Sequence, residues 1–457
     1  KLIINKNDDF ETEYSISDLA FEKVNNGLNL LNNNLYTEAI LNLNNALDYD
    51  TEALDIIFFK DLDFKQEKDS LYNILKNNII NNQDSINNRS YFYLGLIDYK
   101  NKNYENSINH FNKYHSFHPE DINSLLFISD ILMQQEEWLD ASLYLSRCLK
   151  INKNNFFANL AIAECLSMLK DYKESNNVLK YISKKNKNNY KIIFYLGYNN
   201  YYLKNYDQAI KYLTQSLLLE SKEYLNYYYL GLSYIQKKLN KQALDAFKKC
   251  VIINPDFGIA HYELGNLYMS ILNEQLAIKH FEHSKRNYNI DDLNYKIGML
   301  YYKNELYLKA MSPLKEYLLN NLNDIEVLET LGNILINIER HPEAINIYLQ
   351  LIEYDSDNEF YYNNLANSYY KLDDFDNALE NYKKIIELNE ENYEIYLKIG
   401  LILNKQNLFF ESEKFLVQAL DCNAATKNLL IQLGIAYGGQ KKFLQSLLAF
   451  KKALKFS

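Results

Sequence analysis

His110, His115 and His118 fall within one short stretch, and His280 and His283 stand three residues apart. On helices such spacing sets imidazoles on one face, which is how a zinc site begins. A site needs more ligands, and no carboxylate or cysteine completes either group at suitable spacing. We therefore expect solvent-exposed helix ends and turns there, and no metal. The four cysteines, Cys148, Cys165, Cys250 and Cys422, form no CxxC pair. Neither a disulfide framework nor a zinc ribbon follows from them. There is no glycine-rich phosphate loop, no GxSxG and no HExxH. The reading is a chain without catalytic residues and without a cofactor. The remaining side chains with chemistry to offer are aromatic. Phe194, Tyr228, Tyr262 and Tyr295 recur at steps of 34, 34 and 33 residues, with Tyr195, Tyr198, Tyr201 and Tyr229 beside them. Tyrosine joins a large apolar body to a polar tip, and such residues anchor binding partners. The competing reading is ring-to-ring packing in a chain that carries 42 tyrosines throughout.

The same step organises the whole chain. From Gly231, steps of 34 reach Gly197, Ala163, Ser129, Gly95, Asp61 and Gly27 in one direction and Gly265 in the other. A step of 33 then reaches Gly298, and further steps of 34 reach Gly332, Ala366, Gly400 and Gly434. Nine of the twelve glycines occupy this slot. Twelve residues later a second small residue recurs, as in Ala209, Ala243, Ala277, Ala310 and Ser412, and sixteen later a large one, as in Phe111, Phe247, Phe281 and Tyr348. Apolar residues return at intervals of three and four, so each period holds two helices of about twelve to fourteen residues. Glycine costs about 1 kcal/mol against alanine inside a helix. The cost is outweighed if the missing side chain lets two helices approach closely. The spacing predicts that the small residue of the first helix faces the small residue of the second. The unit containing Gly265 is one residue short, and Pro313 falls inside a second helix, where it is expected to kink it and change the pitch near residues 285–315.

Composition sets the outer limits. The chain has 457 residues, 47% hydrophobic and 24% charged, as folded water-facing chains do. Four prolines and twelve glycines are too few for an all-β protein. A net charge of −10 argues against a nucleic-acid partner, which calls for a basic patch. No apolar run approaches the ~18 residues of a membrane span, and no signal peptide is visible. The chain begins at Lys1, so a preceding segment is expected and the compartment is open.

The set Leu230, Gly231, Tyr234, Ala243, Phe247, Cys250 and Pro255 resembles the tetratricopeptide repeat, and the match extends over about residues 20–457 as thirteen units. The resemblance implies an all-α α-solenoid, a right-handed superhelix of stacked helix-turn-helix units, with a degenerate unit at residues 53–86 that lacks both small residues (Asp61 and Asn73). It also implies that Cys148 and Cys250, in a small-residue slot, are packed thiols. In this family the first helices line a concave groove that takes peptides, which gives Phe194, Tyr195, Tyr198, Tyr201, Tyr228, Tyr229, Tyr262, Asn266 and Tyr295 as groove residues. Asn266, Asn333 and Asn367 match one asparagine of the family's carboxylate clamp, but Tyr262, Glu329 and Asn363 stand where its lysine belongs. Chaperone-tail binding is therefore not expected. The asparagine ladder of the family's glycosyltransferases is absent too, for its slot carries Tyr93, Lys296 and Lys398.

The function expected is a non-catalytic scaffold binding protein partners along the groove. The alternatives are a substrate-selecting or regulatory module of an enzyme whose catalytic domain lies outside the chain, and a structural part of a cell-envelope or motility machine. Residues 1–19 are expected to be an irregular acidic lead-in, with a short helix near its end. The last helix, about Lys441–Phe456, carries Phe443, Leu447, Leu448, Phe450 and Leu454, and its open apolar face is expected to support self-association or docking.

Overall fold

The computed structural model describes residues 2–5 and 11–14, single positions between 22 and 42, and residues 88–455 apart from 289 and 423–425. The repeat units around Gly27 and Asp61, including the degenerate one, lie outside the described residues. The chain divides into two units, residues 1–237 and 238–457. The first contains strands β1 (Leu2–Asn5) and β2 (Glu11–Tyr14). Its helices are α1 (Asn88–Lys100), α2 (Tyr104–Phe117), α3 (Asn123–Gln134), α4 (Trp138–Ile151), α5 (Phe156–Met168), α6 (Tyr172–Ser183), α7 (Tyr190–Tyr202), α8 (Tyr206–Leu219) and α9 (Tyr224–Gln236). The second unit holds α10 (Asn240–Ile253), α11 (Gly258–Ser270), α12 (Glu274–Asn287), α13 (Asp291–Lys303), α14 (Tyr307–Leu318), α15 (Ile325–Asn337) and α16 (His341–Tyr354). It continues with α17 (Glu359–Lys371), α18 (Phe375–Leu388), α19 (Tyr393–Lys405), α20 (Phe409–Cys422), α21 (Lys427–Gly439) and α22 (Phe443–Ala453). The class is all-α, a helical solenoid of repeated helix pairs.

Within the lead-in, residues 2–5 and 11–14 form strands, and the short helix expected near its end lies outside the described residues. Strands β1 and β2 pair antiparallel, Leu2 opposite Tyr14 and Asn5 opposite Glu11. Ile3, Ile4 and Thr12 are β-branched and suit a strand; the acidic residues drew attention away from this local preference. The sheet lies outside the helical repeats.

Several helices start where short polar side chains accept a backbone N–H: Asn155 from Ala158, Asp324 from Val327, Thr426 from Leu429. The first helix of each pair ends in one shared way. Eleven residues at the same repeat position have positive φ, from Lys102 and Glu136 to Lys441, and none is glycine. The next residue's N–H then reaches back five positions, as in Asn103 to Asp98, Asn205 to Asn200 and Lys442 to Tyr437. This is a Schellman stop, which usually uses glycine. Three residues separate the helices of a pair, as between Met168 and Tyr172 or Ser270 and Glu274, so the two run antiparallel.

The packing corrects one expectation. The glycine of the 34-residue series, whose position is slot zero of each unit, faces the large residue sixteen positions on. A Cβ on Gly265 would lie 2.4 Å from Phe281, on Gly197 2.6 Å from Leu213, and on Gly400 2.4 Å from Leu416. The small residue twelve positions on instead meets the first helix's backbone. Where it is serine it donates to the slot-zero carbonyl: Ser107 to Gly95, Ser175 to Ala163, Ser412 to Gly400 and Ser446 to Gly434, all at 2.7–2.8 Å. The close approach is as the spacing predicts, and a ring or leucine fills the room it leaves. The residue missing from the unit of Gly265 is taken from the link between Asn287 and Asp291. Pro313 lies inside a second helix, as its position in the repeat predicts: it is buried within α14, which runs on to Leu318.

Candidate binding face

First helices of successive pairs touch one another, α5 with α7, α7 with α9, α13 with α15 and α19 with α21. They therefore line one face within each unit. In the first unit this face is aromatic. Phe194, Tyr195, Tyr198 and Tyr228 are each 8% exposed, whereas Tyr201 and Tyr229 are half-buried. Tyr229 is the hub: its ring centroid lies 4.8 Å from Tyr198, 5.2 Å from Tyr228 and 5.8 Å from Tyr201. Phe194 and Tyr195 meet edge to face at 5.1 Å. Burial pushes the Glu164 carboxyl up, against the pull of the neighbouring Tyr195 and Lys191. Burial and the same carboxylate hold the Tyr195 phenol well above its ordinary range. One repeat earlier, the Tyr99 hydroxyl donates to Asp130 at 2.5 Å, and Gln134 donates to both.

In the second unit the face is aromatic and charged. The Tyr262 hydroxyl donates to Asp292 at 2.6 Å and accepts from Lys296 at 2.7 Å. Lys296 also donates to Asn266 at 2.9 Å, pairs with Asp292 at 2.8 Å, and lies 4.5 Å from the Tyr262 ring centroid. Burial opposes the Lys296 charge, but Asp292 and Tyr262 outweigh it and raise the ammonium. Tyr295 donates to Glu326 at 3.1 Å and packs 5.4 Å from Tyr317. Tyr262, Asn266 and Tyr295 are all half-buried.

Sequence reasoning missed the lysines. Lys398 repeats the device of Lys296: it reaches back about a repeat to Asn363 at 2.8 Å and Asn367 at 3.3 Å. Tyr382 donates to the same Asn367 oxygen at 2.6 Å. No carboxylate is paired with Lys398 among the described residues, and burial lowers its ammonium. It borders a cleft of about 230 Å³ with Glu359, Phe360, Asn363, Asn392 and Glu394. Both lysines stand two positions before the slot-zero glycine, the slot in which an asparagine ladder is absent.

The histidines are also placed differently from expectation. His110 binds the buried Asp98 at 2.9 Å, and His118 packs on Tyr114. His280 and His283 meet His261 of the facing helix, each ring 5.1 Å from it. They are packed side chains, not free helix ends. Among the described residues no three His, Cys, Asp or Glu side chains are placed to hold a metal. Cys148, Cys165 and Cys250 are buried thiols, which burial pushes up to about 12. No described helix is long and apolar enough to cross a membrane.

Models of the tetratricopeptide repeat match residues 225–257, 325–358 and 360–392, and the model of anaphase-promoting complex, cyclosome, subunit 3 matches residues 100–182. Together with the packing above, these matches support a tetratricopeptide-repeat family for the chain. No curated protein matches it significantly. Among solved structures it is similar to YrrB, described as a TPR protein with an unusual peptide-binding site (22% identity, 39% of this chain and 93% of that one, TM-score 0.33). It is similar to Pseudomonas aeruginosa PilF (17% identity, 46% and 95%, TM-score 0.41) and to human IFIT1, solved as a dimer with PPP-AAAA (16% identity, 82% and 96%, TM-score 0.42).

Proposed function

We propose that the chain is a non-catalytic scaffold that binds segments of partner proteins on the face formed by its first helices, alone or within a larger assembly. The observation that carries this reading is the half-exposed tyrosine series on that face, Tyr201 and Tyr229 in the first unit and Tyr262 and Tyr295 in the second. Such rings offer area and a hydrogen bond with little entropy to lose. Phe194, Tyr195, Tyr198 and Tyr228 support the exposed rings from beneath, and Asn266 holds Lys296 in place. Replacing Tyr201 or Tyr262 by alanine is expected to weaken partner binding by about 2 kcal/mol or more if each is a hot spot. Unchanged binding together with a sharp loss of thermal stability would show that these rings only pack.

A second surface supports self-association. Phe443, Leu444 and Leu454 of the last repeat are 71%, 72% and 80% exposed, with Leu447 and Leu448 at 51% each. We propose that two copies meet through this face of α22. Sedimentation of the wild type against Leu447→Glu checks it: a dimer that the variant abolishes is expected, and a wild-type monomer at high concentration contradicts it.

A further inference from the structure

At the end of α7 six tyrosines from four helices come together. Tyr172 of α6 stacks on Tyr202 at 4.9 Å and 6°. Tyr201 meets Tyr202 at 5.1 Å, Tyr206 of α8 at 6.1 Å and Tyr229 of α9 at 5.8 Å. Tyr198 lies 4.8 Å from both Tyr202 and Tyr229. The Tyr198 hydroxyl is turned toward the Met168 sulfur at 4.0 Å. Tyr202 is more open than Tyr198 or Tyr229, 42% exposed, and a hydroxyl rotates to suit an incoming partner.

The chemistry of this place is narrow. It presents flat ring surface and neutral hydroxyls. Burial raises the Tyr198 and Tyr229 phenols, so they stay un-ionised. Lys237, close by, is paired with Asp207 at 3.0 Å. A polyproline II segment fits: it makes no internal hydrogen bonds, so its carbonyls need donors, and its pyrrolidine rings lie flat on aromatic surface. It also arrives already ordered, so little entropy is lost on binding. We propose that the tyrosine cluster of α6 to α9 binds a proline-rich peptide segment in the polyproline II conformation, with Tyr202 donating to a prolyl carbonyl. The proposal rests on the scaffold reading and names the class of segment that the first unit takes.

The test is calorimetric titration of the full chain with deca-proline and with a Gly-Ser peptide of the same length. Wild type, Tyr202→Phe and Tyr202→Ala are compared, and thermal unfolding is recorded for each. Saturable binding of deca-proline only is expected. Tyr202→Phe keeps the ring and should weaken it roughly 2–10-fold, the worth of one hydrogen bond; Tyr202→Ala should weaken it further. No saturable binding overturns the proposal, as does equal affinity in all three proteins. A partner captured from cells that deca-proline fails to displace, at concentrations that saturate the cluster, also overturns it and leaves the scaffold reading standing.

Discussion

Gly265 has no room for even one more carbon. The added Cβ would sit 2.4 Å from the Phe281 ring, whereas at Gly332 it would meet Tyr348 at 2.9 Å and at Gly438 only Ser446 Oγ at 3.4 Å. Alanine normally gains about 1 kcal/mol over glycine in a helix, and overpacking costs about 1–3 kcal/mol. Urea unfolding should therefore rank the alanine variants: Gly265→Ala destabilised most, Gly332→Ala less, Gly438→Ala neutral or stabilised. Equal effects at all three would remove close packing as the reason for the glycines. Leu272 gives the opposite prediction. It holds φ 59° and is 80% exposed, so it is strained without burying surface. Leu272→Gly should stabilise by about 1 kcal/mol, because the left-handed region costs a side chain roughly that much; a lower melting temperature would contradict this. The glycine slot was legible in the sequence because nine of twelve glycines share it. The positive-φ slot was not, because lysine, glutamate, aspartate, asparagine and one leucine fill it, and none announces that conformation.

Between α11 and α12 the histidines form a pH-sensitive joint. His261 Nε2 lies 3.0 Å from the Pro255 carbonyl, so it carries the proton there and leaves Nδ1 as acceptor for His280 Nδ1–H at 2.9 Å. Burial lowers His280 to about 4, helped by His261, His283, Lys279 and Lys248. Burial lowers His261 too, against Pro255 and Asp256. Both folded-state values are depressed, so the unfolded chain takes up protons first. The stability of keeping these rings neutral is present above about 6.5 and is lost as pH falls toward 4. Thermal melts should show the second unit weakening across that window, by ~2–4 °C per kcal/mol lost. His280→Phe should flatten the dependence, and an unchanged profile in that variant would assign the acid sensitivity elsewhere. The sequence showed His280 and His283 three apart on one helix. It did not show His261, nineteen residues back on the facing helix, because only the pairing brings it there. Lys296 and Lys398 were hidden for the same reason, since their partners lie about one repeat away.

At the scale of the whole molecule the repeat does two things. It gives each helix pair the same packing problem, solved by a small residue, a ring or leucine sixteen positions on and a Schellman stop. It also leaves the positions outside that solution free to vary, and the proposed binding residues are among them. This is why the all-α repeat architecture could be read from spacing alone, while the face could be read only as a series of aromatic slots. Which rings are exposed depends on their neighbours: Tyr228 and Tyr229 are adjacent in sequence, yet one is 8% exposed and the other half-buried. The paired strands at residues 2–5 and 11–14 lie outside the period, and no repeat argument reaches them.

The central claim is that this chain binds proteins through the face of its first helices. The most direct measurement is affinity capture from the native cells, comparing the wild-type chain with a Tyr201→Ala/Tyr262→Ala variant of equal melting temperature, with captured proteins quantified by mass spectrometry. The account predicts a discrete set of proteins retained by the wild type and depleted at least tenfold on the variant, as loss of about 1.4 kcal/mol requires. The same set retained in equal amounts by both proteins would contradict it.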